Sequence, residues 1–260
     1  MKSFTFVKSM AAARGGLAVL ILAGAAATGL AQMPGGDKSA GGMNPSMTRF
    51  FGSNTNFVAK AEVHVLDKQQ HETTGMTMGF EMLGSKIRVD INMAEVKSKE
   101  MSPEFAATMK QIGMDQMTTI ELPEKKSIIT IYPGLKSYTE SPMPKDEVEG
   151  AFKTYKTDKK RLAKETIDGH PCEKNDMTFV DDKGAQEHVT LWNATDMKNF
   201  PLQLQMTVDD SSMVMKFKDV KLGRPDPANF EAPPGLTLYD DLNSLMTNAV
   251  NQRMGAVTTK

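Results

Sequence analysis

The sequence predicts a mainly β (α+β) fold: a large curved antiparallel sheet or open half-barrel with a few short helices on its concave side. Three observations predict it. Apolar and polar residues alternate at period two through much of residues 54–245, the mark of strands with one apolar face. Short turn signals rich in Gly, Asp, Ser and Pro separate these segments, so neighbours pair antiparallel. Helical spacing is confined to three short stretches.

The N-terminus is set aside first. Lys2, Lys8 and Arg14 form a basic stretch without acids, followed by the apolar, Ala/Gly-rich run Leu17–Leu30. Gly29-Leu30-Ala31 places small residues where a signal peptidase reads, so residues 1–31 are expected to be a signal peptide cleaved near Ala31. The run is short of the ~20 apolar residues a membrane span needs, and no Cys stands at the cleavage point for lipidation. The chain is therefore expected to be exported, periplasmic or secreted, and soluble after cleavage. Residues 32–53, rich in Gly, Pro and Met, read as a flexible linker, and residues 246–260 as a flexible tail. Between them lies one β domain, 54–245.

Within that domain Ala59, Ala61, Val63 and Val65 alternate with polar residues, as do Met76, Met78, Phe80 and Met82. Gly84-Ser85 turns the chain into Ile87, Val89, Ile91 and Met93. Lys126–Tyr132 is a strand stopped by Pro133-Gly134, with Ser137–Glu140 returning beside it. Ala163–Ile167 and Glu173–Val180 form a hairpin across Asp168-Gly169-His170-Pro171, and Asp181–Gly184 turns into His188–Asn193. Leu202, Leu204, Met206 and Val208 alternate before the Asp209–Ser212 turn, which leads to Met213, Met215 and Phe217. Helices are expected from Ser102-Pro103 to Gly113, from Lys145 to Lys156 with Val148, Phe152 and Tyr155 as its apolar stripe, and from Tyr239 to Gln252.

Composition excludes several functions. One Cys cannot build a disulfide framework. Loss of the signal peptide lowers the net charge from −1 to −4, and the densest basic spot, Lys159-Lys160-Arg161, is three residues long, so nucleic acid is not an expected partner. No nucleophile elbow, phosphate loop or metalloprotease helix occurs, and no cofactor or metal site is expected. His64, His71, His170 and His188 lack metal-ligand spacing, and the Asp pairs at 181–182 and 209–210 fit turns better than calcium. The 21 methionines are the compositional oddity. Met76/Met78 and Met213/Met215 could bind Cu(I) or Ag(I) through thioethers if their strands were neighbours; the alternatives are an adaptable apolar filler or a greasy ligand lining.

From Gly169-His170-Pro171-Cys172 the chain runs through Val189-Thr190-Leu191-Trp192-Asn193-Ala194-Thr195-Asp196 and Phe200-Pro201-Leu202. It closes on Phe217-Lys218-Asp219-Val220 and Phe230-Glu231-Ala232-Pro233-Pro234-Gly235. This pattern resembles an uncharacterised family of exported bacterial proteins in the superfamily of periplasmic outer-membrane lipoprotein carriers. The resemblance covers residues 54–240, is carried best by 167–236, and transfers no functional residue. It implies an open half-barrel with helices on the concave side, which in the best-known members holds lipid or acyl chains.

The expected function is therefore a non-enzymatic periplasmic carrier or binding protein for an apolar ligand: a lipid, acyl chain or lipoprotein. Its cavity wall would comprise Met76, Met78, Phe80, Met82, Ile87, Val89, Ile91, Leu204 and Met206. Transient contact with membrane or envelope proteins would accompany delivery. A Met-based Cu(I)/Ag(I) binder and a structural envelope protein with a filled core stand as alternatives.

Overall fold

The computed structural model describes residues 45–99, 101–208 and 211–257. The expected signal peptide, most of the linker and the Asp209-Asp210 turn lie outside them. Thirteen strands form one sheet: β1 Asn56–Leu66, β2 Glu72–Leu83, β3 Lys86–Asn92, β4 Lys97–Ser98, β5 Gln116–Leu122, β6 Ser127–Tyr132, β7 Ser137–Pro142, β8 Lys156–Ile167, β9 His170–Val180, β10 Gln186–Ala194, β11 Phe200–Val208, β12 Ser211–Leu222 and β13 Thr237–Tyr239. Three helices accompany them: α1 Pro103–Ile112, α2 Lys145–Phe152 and α3 Leu242–Val257.

The strand order is β13-β7-β6-β5-β3-β2-β1-β12-β11-β10-β9-β8, with β4 paired to β2. Every pairing is antiparallel except β13 with β7. The terminal strands β13 and β8 do not meet, so the sheet is open. The expected architecture is the one observed. Turn chemistry sets the register as expected: Asp168 and Gly169, at φ 50° and 88°, make the tight link between β8 and β9.

Register places Phe57, Ala61 and Val63 of β1 on the same face as Phe80 and Met78 of β2 and Phe217 and Met215 of β12. That face is concave. Phe51 stacks within 4.9–5.8 Å of Phe57, Phe80, Phe200 and Phe217, while Phe50, its neighbour, meets Phe179 of β9 at 5.2 Å. Two adjacent residues touch strands from β2 to β9, which a flat sheet would spread over ~24 Å at ~4.8 Å per strand.

Four expectations need correction. Residues 45–51, read as part of the linker, form a 3₁₀ segment with Met47, Phe50 and Phe51 buried in the core. The concave face is wide enough to need a plug, and this segment supplies its aromatic part. Second, residues beyond 246 continue α3 to Val257, with Ala249 buried. Third, the apolar stripe of the second helix is turned: Glu147 is buried and Phe152 lies 55% exposed. Finally, the sheet is covered on both faces at β5 and β6, where Ile120, Leu122, Ile129 and Ile131 pack under Phe230.

Candidate functional site

All nine residues expected to line a cavity belong to one apolar cluster or pack against it. Eight are buried: Met78, Phe80, Met82, Ile87, Val89, Ile91, Leu204 and Met206. Met76 is only partly covered. The alternation that identified them sets Met78 opposite Ile91, Phe80 opposite Val89 and Met82 opposite Ile87, with Leu204 and Met206 opposite Met215 and Met213. The nine thus share one apolar surface, and the chain's own Phe50, Phe51 and Met47 lie in the same cluster.

A cleft of about 600 Å³ opens at the edge of this wall. It is lined by Glu72, Thr73, Ala94, Val96, Met101, Pro103 and Ala106, with Lys97, Ser98, Lys99 and Ser102. None of the nine expected residues lines it. Met76 is the link: β4 pairs with β2 at Thr74 and Gly75, immediately before it. The signal that could have found the cleft was the irregular stretch 93–102 between two clear elements, too polar to read as strand and too short for a domain of its own.

The cover over this end of the wall is α1. Ser102 caps it by accepting a hydrogen bond from the Phe105 N–H at 3.1 Å, and Glu104 sits in the first turn, its carboxyl held below the ordinary range by its own backbone N–H and by Ser102. No residue of α1 is buried; Met109 and Ile112 rest half-covered on the cluster. Its C-terminal end is held tightly where Gly113, at φ 80°, meets Gly134: a Cβ on Gly134 would fall 2.5 Å from the Gly113 carbonyl oxygen. Met93, Met101, Met114 and Met117 flank the helix in sequence, Met109 lies within it, and all five join or pack on the cluster.

Across β5–β7 the same face becomes polar. Thr119 lies opposite Val89 on one side and Thr130 on the other, and Thr130 opposite Thr139. Glu121, opposite Ile87, is 1% exposed, and burial pushes the Tyr132 phenol up to about 12. This polar stripe was not foreseen, because β5 shows no alternation.

The metal alternative fails its own condition. β1 lies between β2 and β12, with Val63 facing both Met76 and Met215, so the two Met-x-Met pairs stand two strand spacings apart, ~9.6 Å. No cluster of three His, Cys, Asp or Glu that could hold a metal occurs among the described residues. Cys172 is buried, and burial pushes its thiol pKa up, away from thiolate chemistry. His170 pairs with Asp196 at 2.8 Å and His64 with Glu72 at 3.1 Å, both on the surface. Asp181 accepts from the N–H groups of Lys183 and Ala185 and so shapes the turn at the Asp181-Asp182 pair, and Asp241 accepts from the Ser244 N–H at the start of α3.

The fold and the site define an open, single-sheet β protein whose apolar concave face is closed by short helices and an N-terminal aromatic plug. The chain belongs to the family of a domain of unknown function, DUF4412, whose model matches residues 68–216, more than half its length. No curated protein matches it. Among solved structures it is similar to a LolA superfamily protein of Nitrosomonas europaea, at 9% identity and a TM-score of 0.39 over 72% of this chain and 95% of that one. The lipoprotein LppX of Mycobacterium tuberculosis gives 10% identity and a TM-score of 0.37 over 70% and 93%. LprF of Mycobacterium bovis gives 12% and 0.35 over 71% and 93%. No helix among the described residues is long and apolar enough to cross a membrane.

Proposed function

We propose that this protein is an exported, non-enzymatic binder of an amphiphilic lipid or acyl chain, admitted beneath α1 from the 93–106 cleft. The observation that carries the reading is the pairing of that cleft with its cover. A ten-residue helix without a buried residue closes the methionine-rich end of an otherwise close-packed wall. Segments with few buried contacts open locally at low free-energy cost, and a helix tied at Gly113 is poised to swing from its N-terminal end. Unbranched, polarizable Met side chains can then repack around a chain of variable shape. The cleft's volume lies within the ~300–1,000 Å³ of small-molecule sites. Met76, Met78 and Ile91 would receive the chain, with Phe80, Met82, Ile87, Val89, Leu204 and Met206 as its supporting wall; the polar stripe at Thr119 and Thr130 favours an amphiphile over a pure hydrocarbon.

The test is titration with a fluorescent fatty acid, alongside native mass spectrometry of protein purified from the exported fraction. Wild type is expected to bind the probe and to carry copurifying lipid. Ala106→Trp, which fills the cleft from α1, is expected to reduce probe affinity at least tenfold with an unchanged circular dichroism spectrum. Absence of both probe binding and copurifying lipid would refute the reading and favour a structural protein with a filled core.

A further inference from the structure

We propose that the free edge of β8 docks an acidic, extended polypeptide segment, which adds to the sheet as a further strand. The inference is independent of the ligand reading. β8 is the last strand in the sheet, paired only with β9, and eleven of its twelve residues are exposed. An edge strand presents a row of backbone N–H and C=O groups at alternate residues, ready to template another strand. The opposite edge, β13, offers only three residues.

Charge selects the partner. β8 carries Lys156, Lys159, Lys160, Arg161 and Lys164 against Asp158 and Glu165, within a chain of net charge −1. Both acids are already engaged: Glu165 accepts from the Trp192 indole at 2.6 Å and pairs with Lys174, and Asp158 accepts from the Lys159 N–H. Lys159 and Arg161 reach over the neighbouring strand to Glu173 of β9. Lys156, Lys160 and Lys164 make no ion pair among the described residues; Lys156 and Lys160, opposite Val180 and Asp176, share one face of β8 and offer their charge to an incoming segment, whereas Lys164, opposite Glu173 beyond the register shift at Arg161–Ala163, lies on the other face.

Two other occupants fit less well. A second copy pairing β8 against β8 would set basic residues opposite basic residues, which is destabilising. An anionic lipid surface would answer the lysines but leave the backbone row without strand partners, and it would not use the length of the edge. An extended peptide with acids at alternate positions answers both, the mode by which strands are added to exposed sheet edges elsewhere.

The probe is a fluorescent peptide of about ten residues alternating Glu and Val, long enough to span most of such an edge. Two comparison probes are the same peptide N-methylated at alternate residues, and phosphatidylcholine vesicles with and without phosphatidylglycerol. The Glu-Val peptide is expected to bind the full chain. Lys156→Glu/Lys160→Glu is expected to weaken binding at least tenfold, Lys156→Gln/Lys160→Gln to weaken it less, and N-methylation to abolish it. Circular dichroism confirms that the variants remain folded. Failure of the peptide to bind, equal binding of the N-methylated form, or binding to phosphatidylglycerol vesicles alone each overturns the proposal.

Discussion

Truncating Phe51 is the most direct check on the N-terminal plug. Phe51 is 1% exposed and meets four aromatic rings, Phe57, Phe80, Phe200 and Phe217, at centroid distances of 4.9, 5.8, 5.8 and 5.4 Å. A buried Phe→Ala change costs about 3–5 kcal/mol, and here the cavity would sit at the centre of an aromatic cluster that cannot collapse without moving two pairs of strands. Residues 45–51 are tethered elsewhere as well: the Arg49 guanidinium pairs with Glu187 and lies 4.5–5.6 Å from the Phe50, Tyr155 and Phe179 rings. The segment should therefore remain docked in Phe51→Ala, leaving the void unfilled, and the loss should be about 4 kcal/mol. At an m-value of roughly 2 kcal/mol/M, the urea midpoint falls by about 2 M. Chemical denaturation followed by circular dichroism measures it. A shift under about 0.5 M, near 1 kcal/mol on that slope, would show that the segment is not part of the core and that residues 45–51 behave as the linker their neighbourhood suggests.

Two further outcomes follow from contacts at the sheet's edge and at the cover. Trp192 is the only tryptophan, and its indole donates to Glu165, whose pKa is lowered first by that bond and then by Lys174. A depressed carboxylate contributes stability that is present above its unfolded pKa, near 4.5, and is lost as pH falls through the folded value; tryptophan emission should therefore shift with a midpoint below 4.5, and Glu165→Gln should remove the transition. Gly134→Ala should destabilise by about 1–3 kcal/mol in thermal denaturation, because the new methyl must displace backbone rather than a side-chain tip; an unchanged midpoint would show that the end of α1 is not fixed there.

How much of this was legible in the sequence depended on how each element meets water. β1, β2, β3, β11 and β12 cover the core with one face, so Ala59–Val65 and Met76–Met82 alternate openly and their partners could be read from the turns. β5 was invisible because Phe230 covers its outer face, leaving Gln116–Leu122 buried at six of seven positions. β8 was seen only from Ala163 onward for the opposite reason: exposed on both faces, its charged first half has no pattern to show. The helix at 145 was placed by its spacing but given the wrong face, since a stripe of Val148 and Phe152 says nothing of the buried Glu147. The buried apolar face was legible residue by residue. What fills it was not, because Phe50 and Phe51 follow a Gly/Pro-rich stretch and alternate with nothing.

The filled wall and the carrier reading meet in one energetic comparison. Swinging α1 away uncovers Met109 and Ile112, which rest on the cluster, and the partly covered Phe105, for about 1 kcal/mol apiece on the ~1.5–3 kcal/mol scale of full burial. An acyl chain lying in their place gains about 0.8 kcal/mol per buried methylene. Roughly four methylenes therefore offset the opening, and association itself costs several kcal/mol more, so short acids should not bind measurably. Beyond that threshold each added pair of methylenes contributes about 1.6 kcal/mol, or about fifteenfold in affinity, until the chain outgrows the space that Met78, Met93 and Met117 can yield. Competition titrations with alkanoates of increasing length should show this threshold, then the steep rise, then a plateau. A flat dependence on chain length would mean that α1 does not open for an acyl chain, and that the methionines beneath it are packing and nothing more.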